Sequence, residues 1–276
     1  VRGCSHPDGS PMTDDEAMEE VHNIQSDMEA SLGANRFPNW IGPQRFGSGR
    51  PVTPHVGRHV VNEDWEQAVM TYLSMEGPNE ESEAHAVRKQ IRENGISEEL
   101  LASLPRWMGF ERRMIEHLLA SPDDHVGAFR KLPTNLQLMT VHALQSIVFN
   151  KSLQRRLDEG LPLSRPVVGD VVGRIDEKSQ LDVNSCVVVN DRTLNRIGRN
   201  CDLGRLMTTG PLPGSEITTS EGLPGELEGA TIVAEGLSDV SWNVEAIPRL
   251  SSKGTRRGLV AEFLSLIHIS EPTRHA

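Results

Sequence analysis

Asn39-Trp40-Ile41-Gly42-Pro43-Gln44-Arg45-Phe46-Gly47 gathers amide, aromatic, glycine and arginine groups into nine residues without an acidic side chain. Such a run reads as an active-site loop. The two glycines allow close backbone approach or positive φ, Gln44 offers both a donor and an acceptor, and Arg45 is a permanent cation suited to a carboxylate or a phosphate. An ordinary turn is the plainer reading of the same residues, since glycine and proline mark loops everywhere.

Three later stretches bear on that choice: Val141-His142-Ala143-Leu144-Gln145-Ser146-Ile147-Val148-Phe149-Asn150, Gly210-Pro211-Leu212-Pro213-Gly214, and Ser251-Ser252-Lys253-Gly254-Thr255-Arg256-Arg257. With the first run, and in this order, they resemble segments of the TruD family of tRNA pseudouridine synthases. The resemblance covers about residues 12–262, and its most specific parts are the first run and the Lys-Gly-Thr-Arg-Arg segment. It implies an α+β fold: residues 1–75 as part of a pseudouridine-synthase catalytic domain carrying the signature loop, and residues 76–260 as the family's α/β insertion domain. It also implies isomerisation of a uridine to pseudouridine, at position thirteen of tRNA, with no cofactor or metal; no obligate protein partner is inferred, and the cytoplasm is expected from the few cysteines and the lack of a long apolar run or a signal-peptide layout.

Carried over residue by residue, Asn39 matches an amide beside the nucleophile, and Arg45 an arginine that braces the loop or meets a phosphate. Ile41 stands where the family usually has an aromatic that stacks on the target base, a departure that removes a term of roughly 1–3 kcal/mol; Trp40 compensates only if the loop turns. Gly42 and Gln44 complete the loop, and Phe46 reads as a packing anchor. The family's nucleophilic aspartate sits in a Gly-Thr-Lys-Asp type motif upstream of the loop, yet this chain has no Lys-Asp pair and only 38 residues before Asn39. Asp14, Asp15 and Asp27 lie on an acidic stretch that reads as solvated charge. The family segment expected after Arg257 is also missing, so the expectation is a fragment truncated at both ends and inactive by itself. Residues 264–276 read as a non-native, adapter-like tail.

At 276 residues the chain can bury a sizeable core. Cys4, Cys186 and Cys201 are few and widely spaced, which suits a reducing compartment and gives neither a disulfide framework nor a paired-ligand zinc site. No apolar run approaches the roughly 18 residues of a membrane span. His55 and His59 are four apart, but Pro54 and Gly57 make a regular helix there doubtful, and no third metal ligand is near.

A net charge of −11 argues against a polyanionic partner. The distribution argues for one. Residues 30–62 hold no Asp or Glu while Arg36, Arg45, Arg50 and Arg58 are present, and Arg249, Lys253, Arg256 and Arg257 form a second acid-free cluster. Arg50, Arg58, Lys253, Arg256 and Arg257 are therefore candidate phosphate contacts to tRNA, with salt bridges at a domain seam as the competing reading.

Patterning predicts a helix over 13–32 opened by a Thr13/Glu16 capping box, another over 63–74 capped by Asn62, and mostly helices over 81–158 with breaks near Gly95, Pro105, Pro122 and Pro133. The longest of these runs from a Thr134 cap to Leu157, and His142 and Asn150 on it read as a satisfied core pair. Strands are expected over 167–172, 183–189, 230–233 and 242–247. Two other readings fit the sequence: a non-catalytic RNA-binding module, and a phosphate-substrate enzyme using Gly47-Ser48-Gly49-Arg50 and Lys253-Gly254-Thr255-Arg256-Arg257 as anion loops, although neither run has the Walker pattern.

Overall fold

The computed structural model describes residues 4–47, 49–78, 80–176 and 180–262; Ser48 and the 264–276 tail lie outside them. The chain is an α+β protein organised around one long helix. α1 (Asp14–Leu32) opens with the expected capping box: Glu16 N–H donates to Thr13 Oγ1 and Thr13 N–H to the Glu16 carboxylate. A short strand β1 (Arg36–Pro38) and a 3-10 turn (Pro43–Arg45) carry the signature loop into α2 (Thr53–Val61), α3 (Trp65–Ser74), α4 (Ser82–Asn94), α5 (Glu98–Ser103), α6 (Gly109–Ala120), α7 (His125–Phe129) and α8 (Thr134–Asp158).

α2 is regular despite Pro54 and Gly57, against the expectation from sequence. Pro54 occupies the first turn, where no intrahelical N–H is needed. Gly57 is there for contact: a Cβ would lie 2.1 Å from the Thr140 carbonyl oxygen, so α2 and α8 pack backbone to backbone. Asn62 ends α2, and Asp64 caps α3 through the Gln67 N–H, a shift from the predicted boundary.

α8 buries Val141, Leu144 and Val148 in a core shared with Val56, Val60, Val69, Leu73, Met114, Ile115 and Phe129. The same cluster reaches Trp242, Val244, Ile247 and Leu250, so it joins helices on both sides of the Gly77-Pro78 break. Farther along α8, Phe149 and Leu153 pack in a second cluster against Leu32, Leu163 and Leu259.

Beyond α8 lies a four-stranded antiparallel sheet, in the order β3 (Leu181–Val188), β2 (Val171–Ile175), β4 (Leu206–Leu212), β5 (Thr255–Gly258). β1 and β6 (Val260–Glu262) form a separate antiparallel ribbon. The strand expected at 167–172 begins only at Val171, because Asp170 turns back to accept from Val167 N–H and pairs in two-pronged fashion with buried Arg156. Residues 230–233 are helical, within α10 (Gly222–Ala234), where Thr231 Oγ1 bonds back to the Leu227 carbonyl. Residues 242–247 form no strand: Trp242 has φ 60°, and the N–H groups of Val244 and Ala246 donate to Ser251 Oγ and Glu63 Oε1 instead of to a ladder. α9 (Leu194–Asp202), which the sequence pattern missed, packs Ile197 and Cys201 against Val172 and Val189.

Candidate functional site

The four sequence segments meet at one cleft of about 530 Å³. Its walls are Trp40, Ile41, Gly42 and Arg45 from the signature loop, His142, Gln145 and Ser146 from α8, Leu212 from the end of β4, and Ser251–Thr255 with Arg257 from the last segment.

Each wall is fixed by a contact its residues dictate. The Asn150 side chain pairs with the Ile41 backbone like a strand, accepting its N–H and donating to its carbonyl, both at 2.9 Å. Asn150 thus holds the loop and is not one half of a core pair with His142, which is exposed at the cleft. Asn39 donates to the Gly258 carbonyl at 2.8 Å and accepts from Arg257 at 2.6 Å, locking the loop to β5. Gln145 Nε2 donates to the Pro213 carbonyl (2.7 Å) and to Ser252 Oγ (2.8 Å), so α8 grips both remaining segments. Those two segments pair as strands β4 and β5, with Leu212 opposite Thr255, and just past that ladder they cross at glycine: a Cβ on Gly214 would lie 1.9 Å from the Gly254 nitrogen. Gly47, at φ 98°, turns the loop into α2, where a Cβ would meet the Arg50 carbonyl at 2.3 Å. Gly42 differs: its φ is −73° and its Cβ position is open, so no contact within the fold requires glycine there.

The basic residues separate into two groups. Acid-free stretches of sequence are not acid-free in space. Arg36 pairs with Glu262 (2.8 Å) and Arg58 with Glu235 (2.7 Å). Arg50 is sequestered beside Glu80 and Glu111, with Arg88 and the Tyr72 ring completing a buried network, and donates to the Tyr72 carbonyl at 2.6 Å. Arg256 is buried and forks onto Glu228, Thr209 and Thr218. Arg249 donates to Gln137. Arg50, Arg58 and Arg256, candidate phosphate contacts from sequence, each pair with a carboxylate that folds onto them from a distant segment; Arg50 and Arg256 are largely buried in doing so, whereas the Arg58 side chain stays 41% exposed.

What remains faces the cleft. Arg45 is exposed, and among the described residues its guanidinium has no ion pair. Arg257 lies over the Phe149 ring at 5.5 Å, and its Nε is buried without a partner. Burial first, then the charge of Arg45, holds the guanidinium of Arg257 below its ordinary value. The same two causes lower His142. Lys253 reaches Glu216 at 3.0 Å, but both are well exposed, so that pair is weak. Among the described residues no carboxylate lines the cleft. Two arginines, a lysine and an imidazole around a space with no carboxylate in its described lining make a surface that can accept an anion.

Ile41 packs against the Phe149 cluster while still lining the cleft, and Trp40 beside it is 40% exposed, so the indole is the large aromatic face there. Gln44 is exposed away from the cleft lining and Phe46 is half-buried. His55 and His59 sit together on α2; among the described residues no group of three or more His, Cys, Asp or Glu could hold a metal ion. No helix among them is long and apolar enough to cross a membrane.

The family model for tRNA pseudouridine synthase D (TruD) matches residues 9–271. The chain belongs to the TruD family. Relatives named "Probable tRNA pseudouridine synthase D" include one from Methanosarcina mazei, 40% identical over 231 residues (84% of this chain, 53% of the relative). Another, from Methanosarcina barkeri, is 37% identical over 254 residues (92% and 58%). The crystal structure of the Methanosarcina mazei protein assigned to TruD superposes with a TM-score of 0.83 at 37% identity, covering 90% of this chain and 56% of that one. This chain therefore spans about half the length of the TruD relatives it matches.

Proposed function

We propose that this TruD chain carries the RNA-gripping wall of a tRNA pseudouridine synthase, in which a uridine of tRNA is isomerised to pseudouridine. One observation carries the reading: the four family segments converge on a cleft that has cations, an amide and an indole, and no carboxylate. Such a surface binds a phosphate and a base. It lacks the nucleophile that glycosidic cleavage needs. Asp14, Asp15 and Asp27 sit on α1, and none lines the cleft. In this reading the carboxylate is supplied by a segment outside the 276 residues, residues 1–75 belong with the catalytic half and 76–260 with the insertion domain, and the parent enzyme works in the cytoplasm without a cofactor.

Tritium release from tRNA labelled at carbon 5 of uridine tests this. The 276-residue chain alone should give the no-protein rate. A fusion bearing the flanking segments of the Methanosarcina mazei relative should release tritium, and Arg45→Ala in that fusion should lower kcat/KM. Turnover by the chain alone, or a folded fusion indifferent to Arg45→Ala, would overturn the proposal.

A further inference from the structure

Away from the cleft, the turn between α5 and α6 and the first turn of α6 present two large rings to solvent: Trp107 is 56% and Phe110 37% exposed. Neither lines the cleft. The turn that carries them is held from inside. Met108 between them is buried, and Arg112 donates to the carbonyls of Leu101 (3.1 Å) and Leu104 (2.9 Å), tying the end of α5 to α6. The rings are therefore displayed on a fixed backbone. An aromatic pair so displayed is characteristic of an interface.

The charges around the rings select the partner. The guanidinium of Arg113 lies 5.2 Å from the Phe110 centroid and donates to the Gly109 carbonyl of its own helix. Arg106 is exposed. Among the described residues neither arginine forms an ion pair, unlike Arg50, Arg58, Arg88 and Arg256. Glu111 is the only acid from Leu104 to Ile115, and it is buried against Arg88 at 3.1 Å. Exposed rings flanked by uncompensated guanidiniums, on a chain whose net charge is −11, complement a single-stranded polyanion that carries its own stacking faces.

We propose that this turn is a second RNA contact, in which Trp107 stacks an unpaired nucleobase while Arg106 and Arg113 take the adjoining phosphates. The inference rests on the reading of this chain as RNA-binding. Binding of unmodified tRNA, and of a short oligouridylate, to the full 276-residue chain is measured by anisotropy across salt concentrations, with circular dichroism confirming the fold of each variant. Trp107→Ala should weaken tRNA binding about five- to a hundredfold and Trp107→Phe should restore most of it. Arg106→Ala with Arg113→Ala should reduce the salt slope by somewhat under two units. If these folded variants bind like the parent while Arg45→Ala binds worse, the second contact is refuted and the RNA reading stands. If the parent binds neither RNA, both fall. If Trp107→Ala abolishes self-association and leaves RNA affinity unchanged, the turn is a protein interface and the proposal is overturned.

Discussion

His142 shows how the cleft uses single groups. Burial and the charge of Arg45 hold its imidazole below the ordinary value, so it is neutral at about pH 7. A phosphate bound beside it favours the charged ring and raises its pKa, so binding takes up a proton as the pH falls through the ordinary imidazole range. Affinity for tRNA should therefore rise between about pH 7.5 and 5.5 in the parent and rise less in His142→Gln. For the free protein the sign is opposite: a depressed imidazole contributes stability above its unfolded pKa, which is lost as the pH falls toward its folded value. Equal pH dependence in parent and variant would show that His142 does not meet the anion. Arg45 was legible as a candidate because its residue type and loop context suffice. The carboxylate partners of Arg50, Arg58 and Arg256 were not legible, since Glu80, Glu235 and Glu228 arrive from remote segments that a linear charge count cannot place.

The elements place these groups through glycine contacts and amide side chains. Gly214 and Gly254 cross without room for a methyl group, and Gln145 bonds both of their segments. Gly214→Ala should push the Lys253–Gly254 backbone, just before the β4–β5 ladder, away from the cleft wall. The expected result is tRNA binding weakened about tenfold or more, with helical circular dichroism unchanged, because α8 and its core do not depend on that crossing. Parental binding would show that the segment relaxes without cost. The helices of 81–158 were legible from apolar spacing and from proline and glycine breaks, as was the α1 capping box. Residues 230–233 and 242–247 were not. In the first, three β-branched or apolar neighbours mimic a strand that side-chain back-bonding and packing on α8 turn into helix; in the second, side chains of Glu63 and Ser251 replace the ladder. Gly210-Pro211-Leu212 lies in β4, where a Cβ on Gly210 would press on the Phe149 ring at 3.1 Å.

At the scale of the molecule, the signature loop and the helical layer are joined by the buried network of Arg50, Arg88, Glu80, Glu111 and Tyr72, whose phenol is pushed up by burial. Arg50→Ala strands part of that carboxylate charge, and a broken buried pair of this kind costs about 3–5 kcal/mol. The variant should therefore lower the urea midpoint sharply while leaving the slope of the transition unchanged; a parental midpoint would mean that Arg88 alone satisfies both glutamates. If this chain grips RNA as proposed, cations without a folded-in carboxylate meet the RNA and those with one do not. Salt-dependent tRNA binding of Arg45→Ala against Arg58→Ala tests it most directly. Arg45→Ala should weaken binding and reduce the log K against log salt slope by somewhat under one unit, and Arg58→Ala should leave that slope at the parental value. Equal losses from the two variants, or none from Arg45→Ala, would contradict the account.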